Sequence, residues 1–119
     1  MSGFEFSVPV LVAGGGACGA VAALAARESG LDVLLVERDA RPFGTTGMSQ
    51  GNICAGGTRA QEAAGVIDSP DLLFLDIVAK TKGQTDPVIA RAIADNAAPV
   101  LDWLIETHGF PWELDTAFR

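Results

Sequence analysis

The sequence predicts an α/β chain: a βαβ unit first, then helices. Three observations carry this. Of 14 glycines, only Gly83 and Gly109 lie beyond Gly65, so tight turns and close backbone approaches belong to the first half. Two short aliphatic runs flank an alanine-rich stretch in that half. The second half opens helices with Ser69-Pro70-Asp71 and again with Asp86-Pro87.

The elements follow in order. Val8 to Val12 is apolar at every position, as a strand buried on both faces would be. Gly14-Gly15-Gly16 breaks it. Ala17 to Ser29 is mostly alanine and favours helix, and Gly30 is a natural stop just past it. Val33 to Val36 is the second strand, which completes one βαβ unit. Asp39 to Thr58 contains Pro42, five glycines and several hydroxyls and reads mainly as loop, with a short helical turn near Met48 to Ile53. Ser69 caps a helix that Leu72, Leu73, Leu75, Ile77 and Val78 carry to about Thr81. Asp86-Pro87 starts another, with Val88, Ile89, Ile93 and Ala97 at helical spacing. Pro99 predicts a break near Ala97 and a fresh helix start, because proline inside a helix costs about 3 kcal/mol. The last helix ends at Gly109.

Composition excludes several functions. A chain of 119 residues, 49% hydrophobic and 19% charged, reads as one globular domain. Eight basic against fifteen acidic residues leave a net charge of -7, which provides no basic face for DNA or RNA and disfavours anionic membrane surfaces. One histidine and two distant cysteines do not build a metal site. No apolar run approaches the roughly 18 residues of a membrane span. Cysteine usage and the acidic start, with Glu5 and no basic segment, point to a cytoplasmic protein without a secretory signal.

Gly14-x-Gly16-x-x-Gly19 lies between a predicted strand and a predicted helix, and Glu37 closes the second strand. Together these make a Rossmann-like dinucleotide fingerprint. Gly14 permits the tight turn, Gly16 lets backbone approach a pyrophosphate, and Gly19 lets helix pack against strand. Ala17 and Cys18 open the helix whose N–H groups face that anion. Glu37, with Arg38 beside it, lies where the adenosine ribose would be held, and a carboxylate there disfavours the 2′-phosphate of NADP. The fingerprint alone does not separate FAD from NAD.

The following segment, from Phe43 through Gly44-Thr45-Thr46-Gly47-Met48-Ser49-Gln50-Gly51, resembles flavoproteins of the fumarate reductase and succinate dehydrogenase superfamily. That superfamily also holds ketosteroid dehydrogenases and urocanate reductase-like enzymes. Its loop often reads G-G-N/S-T/S-x-x-S-x-G, and Gly44, Thr45, Thr46, Ser49 and Gly51 fall in register with it. The resemblance implies that Thr45 and Thr46 contact the pyrophosphate or ribityl part of FAD. It places Ser49, Gln50 and Gly51 beside the isoalloxazine ring. Gly57-Thr58 and the helix from Trp103-Leu104 to Gly109-Phe110 match less specific parts of the pattern. Phe43 replaces the first glycine, so the local turn must differ or lean on Gly44. Thr45 stands where succinate dehydrogenases carry the histidine that links to FAD, so FAD is expected to be non-covalent.

The resemblance further implies that residues 1–119 are the N-terminal part of an FAD-binding domain, an incomplete Rossmann-like fold followed by helices. A capping domain and the C-terminal completion of the fold are expected elsewhere. No residue here takes the family's catalytic role. The activity implied is that of an FAD-dependent oxidoreductase transferring hydride between flavin N5 and an activated carbon–carbon bond, in a fumarate-like, urocanate-like or enone substrate. A different class stays open: a non-catalytic dinucleotide-binding subunit that works only with a partner chain. The isolated chain is expected to be poorly stable or oligomeric, since two strands leave a sheet edge uncovered. Cys18 and Cys54 read as small packing residues, and His108 as a complement to a helix dipole. Trp103 and Trp112 read as packing residues. Asp68, Asp71, Asp76 and Asp86 read as caps and solvated helix faces.

Overall fold

The computed structural model describes Gly3 and residues 7–115. Among the described residues two strands and five helices follow in the order β1 (Val10–Ala13), α1 (Ala17–Glu28), β2 (Val33–Val36), α2 (Gly44–Met48), α3 (Arg59–Ala63), α4 (Pro70–Lys80) and α5 (Pro87–His108). They form two compact units, Met1–Asn52 and Ile53–Arg119.

In the first unit β1 and β2 pair in parallel, with Val10 opposite Val33 and Ala13 opposite Val36. The strand starts two residues later than Val8 because Pro9 has no N–H to give a ladder. Helix α1 packs on both strands. The burial along β1 alternates, and Leu11 is 63% exposed. A strand apolar at every position is therefore covered on only one face within the described residues. Helix α1 closes where expected: Gly30, at φ 78°, donates to Arg27 O, and Leu31 N donates to Ala26 O. This pair of bonds satisfies carbonyls that the helix end would otherwise leave open.

The second unit rests on α4 and α5, which pack together. Both start signals are real caps. Ser69 Oγ accepts from Leu72 N at 3.2 Å, and Asp86 Oδ1 accepts from Val88 N at 2.8 Å. Two expectations for α5 need correction. The helix does not break near Ala97; it runs unbroken from Pro87 to His108 with Pro99 inside it. Pro99 is exposed, so its ring and its missing hydrogen bond fall on the solvent side, while Ala94 and Ala98 stay packed. The buried stripe is also not Val88, Ile89 and Ile93, which are exposed, but Ala90, Ala94 and Ala98. Small residues four apart let another helix approach closely. Arg91 links the two helices, bonding Asp71 at 2.7 Å, pairing with Asp95 and lying 5.1 Å from the Phe74 ring centre. Gly109, at φ 66°, ends α5, and its N–H donates to Ile105 O.

Helix α3 was not anticipated, although Thr58-x-x-Gln61 carries its capping box. Gln61 Oε1 accepts from Thr58 N at 2.9 Å, and its Nε2 donates to Asp68 Oδ2 at 2.8 Å. Asp68 is thus a partner in a buried polar knot rather than a solvated cap. Gly56 is pressed against this knot: a Cβ there would sit 2.3 Å from Ser69 O.

Among the described residues no helix is long and apolar enough to cross a membrane. Among the same residues no cluster of three or more metal-ligating side chains occurs.

Candidate functional site

The site is built at the end of β1. Gly14 N donates to Val36 O at 2.8 Å, the last bond along the paired strands. The chain then turns at Gly14 with φ 107°, a conformation that side-chain-bearing residues avoid. It enters α1 through Gly16, whose ψ of 179° is extended. Gly19 lies one turn into the helix, against the glycine turn itself. A Cβ on Gly19 would meet Gly14 O at 1.9 Å and Val12 Cγ1 at 3.2 Å. The three glycines thus make a tight cradle in which Gly19 leaves no room for a side chain. The positive end of the α1 dipole lies at this turn.

Two side chains from beyond β2 reach this turn. Glu37 Oε2 accepts from Gly15 N at 2.7 Å, and its Oε1 accepts from Asp39 N at 3.0 Å. These N–H groups, that of Asp39 foremost and then that of Gly15, hold the Glu37 carboxyl below its usual value of 4.5, and the charge of Arg38 adds to them. Arg38 is exposed and pairs with Asp39 through two bonds of 3.1 Å. That pairing holds the guanidinium charged and raises its pKa. From α2, Thr46 Oγ1 accepts from Ala17 N at 3.0 Å. Pro42 lies over Gly15, with 3.1 Å between its Cβ and the place a Gly15 Cβ would take.

The loop that follows differs from expectation. The helical turn lies at Gly44–Met48, not at Met48 to Ile53. Ser49 ends it: the backbone becomes extended and Ser49 Oγ donates to Thr46 O at 2.8 Å. Gly51, at φ 79°, turns the chain again, and its N–H donates to Ser49 Oγ at 3.2 Å. Gly44 has φ 39°, so the turn leans on it as expected from Phe43 replacing glycine. The Phe43 ring lies over Gly47, 3.0 Å from where a Cβ would be.

The structure therefore brings Gly14, Gly16, Ala17, Gly19, Glu37 and Thr46 together. Cys18 lies in the first turn of α1 and is exposed. Thr45, Gln50 and Gly51 are exposed on the following loop. Cys54 is free and exposed, not a packed residue. Pattern reasoning missed Asp39 and Pro42, because their parts here depend on where the loop folds back. The second unit has an open groove of about 450 Å³ beside Pro99. Its carboxylates serve Arg59: Asp102 accepts from Arg59 N at 3.3 Å and Glu106 pairs with the guanidinium. That arrangement anchors α3. His108 stands edge-on to Trp103, ring centres 4.7 Å apart, in the last turn of α5.

A glycine cradle closing a parallel βαβ unit, with a carboxylate at the end of the second strand, defines a dinucleotide-binding protein. Comparison with known proteins makes this specific. The FAD binding domain family model matches residues 9–118, and the chain belongs to that family. It is the FAD-binding segment of the fumarate reductase and succinate dehydrogenase flavoprotein superfamily, and FAD is the cofactor. The fumarate reductase (cytochrome) of Shewanella frigidimarina is 31% identical over 98 residues, 82% of this chain and 17% of that protein. The urocanate reductase of Eggerthella lenta is 31% identical over 111 residues, 93% of this chain and 18% of that protein. The 3-ketosteroid-delta4-(5alpha)-dehydrogenase of Rhodococcus jostii RHA1 superposes with a TM-score of 0.78 at 29% identity, over 89% of this chain and 22% of that one. The chain thus spans less than a quarter of the length of these relatives.

Proposed function

We propose that this chain supplies the FAD cradle of an oxidoreductase acting on an activated carbon–carbon bond. The observation that supports it most is the glycine turn of Gly14, Gly16 and Gly19 beside the Glu37 carboxylate, the pattern that takes a pyrophosphate and offers an acceptor to ribose hydroxyls. Gly14, Gly16, Ala17, Cys18 and Gly19 would hold the pyrophosphate by close backbone approach at the start of α1, the N–H groups of Gly14 and Ala17 being already given to Val36 O and Thr46 Oγ1. Glu37, with Arg38 next to it, would hold the adenosine ribose. Gly44, Thr45, Thr46, Ser49, Gln50 and Gly51 would line the ribityl and flavin side. The Thr46 hydroxyl oxygen accepts from Ala17 N, so its own proton is left to donate toward an anion.

Bound FAD supplies two-electron hydride chemistry at N5; the chain's residues bind it, orient it and tune its electronics. FAD is proposed to be held without a covalent bond, since Thr45 stands where a linking histidine would be. A fumarate-like, urocanate-like or enone substrate fits the relatives named above, which are a fumarate reductase, a urocanate reductase and a ketosteroid dehydrogenase. Competition titration of the protein with FAD and NAD tests the reading. FAD is expected to bind, and both Gly16→Val and Glu37→Ala to weaken it by tenfold or more, about 1.4 kcal/mol. Unchanged affinity in both variants would place the cofactor elsewhere.

A further inference from the structure

We propose that Glu37 and Thr46 are positioning residues that hold the glycine turn in its binding shape before the cofactor arrives. This rests on the FAD reading above and extends it. Three consecutive glycines are the least ordered turn a chain can offer, and a turn that orders only on binding weakens affinity. Here the turn is tied from outside. Gly15 N lies past the last bond along the paired strands, and it is taken by Glu37 Oε2 at 2.7 Å. Ala17 N is a first-turn donor with no acceptor inside its helix, and it is taken by Thr46 Oγ1 at 3.0 Å. The two bonds flank Gly16, one on each side.

Both ties are themselves held. The second Glu37 oxygen accepts from Asp39 N at 3.0 Å, which fixes the carboxylate in orientation. The Thr46 carbonyl accepts from Ser49 Oγ at 2.8 Å, which fixes the end of α2. Neither Glu37 nor Thr46 is buried, so a core-packing role does not explain them. The fit is close: a Cβ on Gly16 would stand 3.3 Å from Thr46 Oγ1, and one on Gly15 3.2 Å from Glu37 Oε2. The two side chains thus lie directly against the glycines they tie.

The test compares wild type, Thr46→Val, Thr46→Ser and Glu37→Gln as full chains. Amide hydrogen exchange is read at Gly15 and Ala17 in the cofactor-free protein, and FAD association and dissociation rates are read by stopped-flow fluorescence. Exchange at Ala17 is expected to quicken about tenfold in Thr46→Val, with FAD association slowed to match, and Thr46→Ser to restore both. Glu37→Gln is expected to quicken exchange at Gly15. Exchange unchanged at both amides, with only FAD dissociation faster, would overturn the proposal and leave the two residues as ligand contacts alone. The exchange measurement needs no FAD. Failure of the wild-type chain to take FAD would sink the FAD reading without touching that result.

Discussion

The two units hold themselves together in opposite ways. In the second, each element is finished locally: Ser69, Asp86 and Thr58 cap their own helices, and Ala90, Ala94, Ala98 and Leu104 are buried in α5. In the first, no residue of α1 is buried, and the decisive bonds are long-range, from Glu37 and Thr46 back to the glycine turn. One unit is shaped by packing and the other by polar contacts around a space. The difference teaches where substitutions should act: on stability in the helices, on the cofactor in the cradle.

The largest effect should come where both demands meet. Gly19→Val would press a side chain into the Gly14 carbonyl, which the structure places 1.9 Å from a Cβ. Overpacking of this kind costs about 1–3 kcal/mol or more. FAD affinity is expected to fall at least 100-fold by titration, with α5 helicity retained by circular dichroism. Loss of helix throughout would show that the units are not separately shaped. Next comes the polar knot of the second unit. Gln61→Leu removes the cap partner of Thr58 and leaves Asp68 without its 2.8 Å donor. A destabilisation of about 1–3 kcal/mol is expected in denaturant melts, with FAD affinity in the folded protein unchanged.

Smaller and opposite in sign is Pro99→Ala. It returns a hydrogen bond to an exposed position of a continuous helix, and stability should rise by about 1 kcal/mol. A drop would mean that the proline itself is needed. The smallest effect is with pH. Glu37 has its carboxyl lowered by the N–H groups of Asp39 and Gly15. Its bonds are therefore fully present above the usual value of 4.5 and are lost as pH falls through the lowered value beneath it. FAD affinity should weaken in acid below that point in wild type, and less so in Glu37→Gln.

Much of this was legible in the residues. The βαβ unit, the glycine fingerprint, the caps at Ser69 and Asp86 and the stop at Gly109 depend on local backbone demands, and the sequence states those directly. The failures share a cause. Pro99 signals a break, but packing of Ala94 and Ala98 outweighs one lost bond. Val88 and Ile93 look like the buried face because they are large, yet close helix approach selects alanine. Resemblance singled out Thr46 as a candidate, but its bond to Ala17 was not legible, because 29 residues separate them. Asp39 and Pro42 carry no pattern at all; only the folding back of the loop puts them at the turn.

The central claim is that the glycine turn beside Glu37 is an FAD site. Its most direct measurement is flavin content of the natural protein purified from its source cells, before and after acid precipitation. The account predicts FAD bound to each chain and released by acid into solution without proteolysis. Flavin that stays with the precipitate would contradict the non-covalent reading, and a protein carrying no flavin, yet binding NAD, would contradict the claim itself.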